Sequence, residues 1–67
     1  MRFVEVRGIR VDIETIKVYG YYKEHNKLLI TTLLGNNIEA VQLSKVQQFE
    51  AEQILKKLDK AIEEYYK

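Results

Sequence analysis

The sequence predicts an α+β fold, a small antiparallel sheet of about five short strands with one C-terminal helix packed on one face. Two observations predict it. Residues 1–43 break into short runs rich in Val, Ile, Leu, Thr and Tyr, punctuated by Gly, Asn and Asp, which is the patterning of strands and turns. Residues 44–66 instead repeat their apolar side chains at a helical period. Strands followed by one helix segregate into a sheet layer and a helix layer. With 67 residues, no proline and only three glycines, no linker divides the chain, so a single domain over 1–67 is expected.

Arg2 to Arg7 alternates with Phe3 and Glu5 on one side and Val4 and Val6 on the other; Gly8 marks a turn, and Ile9 to Asp12 resumes the alternation. This is a short hairpin. Asp12 then heads a segment without alternation, where it caps a single helical turn that points Ile13 and Ile16 inward. Lys17 to Lys23 and Lys27 to Leu34 read as strands joined at Glu24-His25-Asn26. Leu34-Gly35-Asn36-Asn37 is a second hairpin turn, since Gly and Asn tolerate the positive φ of two-residue loops. Asn37 to Leu43 is the last strand.

The helix is expected over 45–66. Ser44 and Gln47 have the spacing of a capping box. Ala51, Ile54, Leu55, Leu58, Ala61, Ile62 and Tyr65 form one stripe, opposite Glu52, Lys56, Lys57, Asp59, Lys60, Glu63 and Glu64. Val46 and Phe49 lie off the stripe and form a second apolar patch. Phe49 rests on the chain's own loop, is simply exposed, or meets a neighbour.

Because side chains alternate along a strand, the hairpin registers sort the sheet into two faces. One collects Ile16, Val18, Leu29, Leu33, Ile38 and Ala40, and this aliphatic face is expected to receive the helix. The other collects Tyr19, Tyr21, Leu28, Ile30, Thr32, Val41 and Leu43, with Lys17 and Glu39 at its edges. It is too apolar to face water comfortably, and such surface marks an interaction site. The alternative is that the N-terminal hairpin folds over it, with Phe3 or Val4 inside.

Composition excludes several functions. Without cysteine there is no disulfide framework and no thiol chemistry. The net charge is +1, with six basic and four acidic groups in residues 1–35 and five and six in 36–67. Duplex binders carry a strong basic excess, because their affinity comes from neutralising phosphates. No apolar run has spanning length and no leader is visible, so a soluble cytoplasmic protein away from membranes is expected. His25, the one histidine, lies in a turn, where a solvated side chain is the ordinary reading. Asp12 with Glu14 and Glu63 with Glu64 are explained as a cap and a helix end. No glycine belongs to a phosphate-binding loop. We expect no enzyme activity, no cofactor and no metal.

The segments Phe3-Val4-Glu5-Val6-Arg7-Gly8-Ile9, then Ile13 and Ile16, then Lys27 to Gly35 resemble the small FlbD-type proteins encoded near flagellar genes. The resemblance covers roughly residues 3–42 and implies a similar small β-sheet core. The chain departs from that family in its long C-terminal helix and in Arg7, where the family tends to have Asn.

Two functions are in view. The first is a non-enzymatic protein-interaction module, a homodimer or a partner of another protein, using Tyr19, Tyr21, Ile30 and Val41 or Val46 and Phe49. A chain this short gains stability by burying a patch against its own copy. The second is a single-stranded nucleic-acid binder that stacks bases on Tyr19 and Tyr21 with Lys17, Lys23 and Lys27 on phosphate.

Overall fold

The computed structural model describes all residues, 1–67. It contains β1 (Phe3–Val6), β2 (Ile9–Asp12), β3 (Ile16–Tyr22), β4 (Lys27–Leu34), β5 (Asn37–Leu43) and α1 (Gln48–Tyr66). The class is α+β, as the patterning predicts. The five strands form two antiparallel sheets instead of one, a β1-β2 hairpin and a β3-β4-β5 sheet. No helix is long and apolar enough to cross a membrane.

The hairpin turns through Arg7 and Gly8, both at positive φ (50° and 79°), as a two-residue loop requires. Val4, Val6 and Val11 point inward and are buried, while Phe3 lies outside under the Arg10 guanidinium, 4.8 Å from its ring centre. Asp12 caps the single 3-10 turn Ile13–Thr15, accepting from the Glu14 amide at 3.0 Å. Ile13 enters the core. Arg2 grips the same carboxylate with two bonds of 3.0 and 2.8 Å and holds Asp12 below its ordinary pKa.

β3 ends at Tyr22, one residue earlier than expected. Lys23–His25 forms a second 3-10 turn that Asn26 closes at φ 51°. Leu34 pairs with Asn37 across the Gly35-Asn36 turn.

The three-stranded sheet is covered on the opposite side from the one expected. Leu28, Ile30 and Leu43 are buried with Ala51, Ile54 and Leu58 of the helix and the three hairpin valines in one core, and Tyr19, Tyr21 and Val41 pack against it. Hairpin and helix together form the layer over this inner face, with Val4 and not Phe3 inside. Ile16 also packs inward. A register shift between Ile16 and Val18, the bulge at Lys17, moves it off the face that strict alternation assigns.

The helix begins three residues later than the capping-box pattern predicts. Lys45 has φ 55°, which a helix cannot contain, and Gln47 is the N-cap without a side-chain bond. The cause lies in the hairpin turn. Arg7 donates to the Ser44 and Lys45 carbonyls at 2.8 and 3.2 Å and to the Glu50 carboxylate at 2.8 and 2.6 Å, tying down the segment that precedes the helix. Val46 is thereby turned into the core at 0% exposure, its amide donating to the Asn26 carbonyl at 2.8 Å. The Val46 and Phe49 patch does not exist. From Ala51 onward the stripe packs as expected, and Leu58 is fully buried.

Candidate interaction surface

The face of the β3-β4-β5 sheet turned away from the core is built by alternation. β3 contributes Val18, Gly20 and Tyr22; β4 contributes Lys27, Leu29, Thr31 and Leu33; β5 contributes Ile38, Ala40 and Gln42. Their cross-strand pairs are Val18 with Thr31 and Ala40, Gly20 with Leu29 and Gln42, Tyr22 with Lys27, and Leu33 with Ile38. No element covers this outer face. Ile38 is 73% exposed, Val18 60% and Tyr22 53%.

Lys27 is the one charged residue among these ten, and it sits at a corner beside the Tyr22 end of β3. A sheet face in water ordinarily alternates into polar residues. Here only Lys27, Gln42, Thr31 and the Tyr22 hydroxyl are polar. Near that corner Tyr22, His25, Lys27, Leu29 and Gln42 line a depression of about 410 Å³. On the edge strand β3, Gly20 leaves a notch in this face, since a Cβ built there meets nothing within 4 Å.

The sequence-predicted site residues are placed elsewhere. Tyr19 points inward, and its hydroxyl donates to Asp59 of the helix. Burial, with help from that carboxylate, pushes its pKa up to about 12. Tyr21 also points inward, donating to the Val46 carbonyl at 2.8 Å. Ile30 and Val46 expose nothing, Val41 is half-buried, and only Phe49 is free, at 71% exposure. The face carrying Tyr19, Tyr21, Ile30 and Val41 is therefore the core side.

The stacking constellation is dismantled by the same inversion. Both tyrosine rings that were to hold bases are committed to the core, whereas Lys27 lies on the outer face and Lys17 and Lys23 stand exposed in the bulge and the turn. Lys27 and the two tyrosine rings thus lie on opposite sides of the sheet.

Comparison with protein-family models, with curated proteins and with solved structures finds no match.

The remaining surfaces do not converge on chemistry. His25 is exposed in its turn, and no three imidazole or carboxylate groups come together. Another groove, also about 410 Å³, runs along the seam of β1 and α1, with Phe3, Val4 and Ala61 as its floor and Glu5, Lys57, Lys60 and Glu64 around it. Its charges are mixed in sign.

The Arg7 clamp was missed by sequence reasoning. Its partner Glu50 lies 43 residues away, and no local pattern announces it. The outer face was visible in the sequence as a set of residues. Its side was misjudged.

Proposed function

We propose that this chain is a non-enzymatic interaction module that works through the outer face of its three-stranded sheet. The observation that supports this reading is the near absence of charge across a face that hairpin and helix leave open. The outward side of the helix, by contrast, carries Glu52, Lys56, Lys57, Lys60, Glu63 and Glu64. Exposed contiguous apolar area of this kind marks a binding surface. Ile38 and Val18 stand out from it as side chains that lose the most water on docking.

Site-specific photo-crosslinking tests the reading. A photoreactive residue replacing Ile38, introduced into the full chain in the cells that produce it, is expected to trap a protein on illumination. The same residue at Phe49, equally exposed but solitary, is expected to trap none. Absence of any adduct from Ile38 would sink the proposal.

A further inference from the structure

We infer that the occupant of the outer face is the same face of a second copy, sheet on sheet across a two-fold axis; this rests on the module reading and names its partner. A partner that covers this face must bring a surface equally free of charge, because a buried unpaired ion costs several kcal/mol. On this chain only the outer face qualifies. The helix's outward side is charged, and the hairpin's exposed aromatic, Phe3, already lies under Arg10.

An axis crossing the strands at Thr31 lays the row Val18, Thr31 and Ala40 over its own copy. It sets Leu29 over Leu33 of the second copy and Gln42 over its Ile38. Large side chains then meet around a centre of small ones, which is how facing sheets interdigitate. The same axis carries the two Lys27 side chains to opposite ends, beyond the apolar centre and over the Gly35-Asn36 turns, where they stay in water. An isologous contact also closes on itself, leaving no second apolar face exposed.

Three strands about 4.8 Å apart and seven residues long make a footprint of roughly 330 Å² per copy. Side-chain relief raises the surface removed from water toward the roughly 500 Å² per partner at which specific interfaces begin. That suits a weak, reversible dimer.

Sedimentation equilibrium between about 5 and 500 µM reads the result directly. The wild type is expected to pass from the 8.0 kDa chain to about twice that mass. Thr31→Arg places two like charges at the axis and is expected to weaken association at least about tenfold. Ala40→Arg does the same from an exposed position, so the test survives if either variant folds poorly by circular dichroism. Phe49→Lys is expected to change nothing. A wild type that stays monomeric at 500 µM overturns the inference, as do arginine variants that both associate like the parent. An Ile38 cross-link whose mass is not twice the chain also overturns it while leaving the module reading intact, whereas no cross-link removes both.

Discussion

The two faces of the β3-β4-β5 sheet are both apolar, yet only one is core. On the inner face stand Tyr19, Tyr21, Leu28, Ile30, Val41 and Leu43; on the outer, Val18, Gly20, Leu29, Thr31, Leu33, Ile38 and Ala40. The inner set is bulkier, and its two hydroxyls find partners at the rim, Asp59 for Tyr19 and the Val46 carbonyl for Tyr21. The outer set contains a glycine and an alanine and fills space less well. Volume and the reach of polar tips decide the core side here, where hydrophobicity alone points the wrong way. A tyrosine is admitted to a core when its hydroxyl is bonded, and no buried side-chain polar atom lacks a partner in this fold.

Truncating a side chain of the inner layer is expected to cost the most stability. Leu58 is fully buried beneath that face, and Leu58→Ala is expected to cost about 2–5 kcal/mol, a large part of the stability of so small a domain. Ile38→Ala on the outer face is expected to stay within about 0.5 kcal/mol at monomeric concentrations. Urea titration followed by circular dichroism measures both. Equal losses would mean that the outer face is covered within the monomer.

A smaller effect comes from the Tyr19 hydroxyl. The group is only partly withdrawn from solvent, so its bond to Asp59 contributes on the order of 1 kcal/mol or less. Its folded pKa of about 12 lies above the ordinary tyrosine value near 10. The contribution is therefore fully present below pH 10 and is lost as pH rises toward 12. Melting temperatures at pH 9 and pH 11 are expected to fall less in Tyr19→Phe than in the parent. Parallel falls would sever Tyr19 from the alkaline response.

How much of this was legible in the sequence follows the range of each interaction. The Asp12 cap was readable because donor and acceptor lie two residues apart, and the helix stripe because its period repeats over many turns. The Ser44 cap failed because Arg7 reaches across 37 residues to take the Ser44 carbonyl, and a local pattern yields to four long-range bonds. Ile16 was misplaced by one bulge, since alternation counts residues and a bulge adds one. Division of the strands into two sheets left no mark, as the 3-10 turn Ile13–Thr15 is equally compatible with a continuous meander. Of the candidate site, the membership of each face was legible apart from Ile16, and the covered side was not.

Arg7 offers a local test. The Glu50 carboxyl is held below its ordinary range by the arginine hydrogen bond, so the clamp is complete above the usual glutamate pKa and is lost as pH falls through the depressed value. Arg7→Ala is expected to move the global midpoint little and to open the Ser44–Gln47 segment. Hydrogen exchange at the Val46 amide, bonded to Asn26, reads that opening. Lower protection of that amide, relative to its intrinsic rate at each pH, in Arg7→Ala at neutral pH, matched by the parent in acid, is the expected result. Unchanged protection would show that the buried Val46 side chain holds the segment without the clamp.

Position 20 gives a small effect of the opposite sign. Gly20 lies mid-strand on the outer face, its φ is outside the left-handed region, and a Cβ there meets nothing within 4 Å. Glycine in a strand loses the most backbone entropy on folding and packs nothing. Gly20→Thr is therefore expected to stabilise the monomer by a few tenths of a kcal/mol, up to about 1 kcal/mol, through strand propensity and a shorter list of unfolded conformations. A substitution of an inner-face residue by one of different volume has no such freedom, because every neighbour is already in contact. Measured by urea unfolding at low micromolar concentration, a gain places position 20 on the open side of the sheet. A loss comparable to a core overpacking, about 1–3 kcal/mol, would mean that something in the monomer already fills the notch, and the outer face would then be a second core and not a surface.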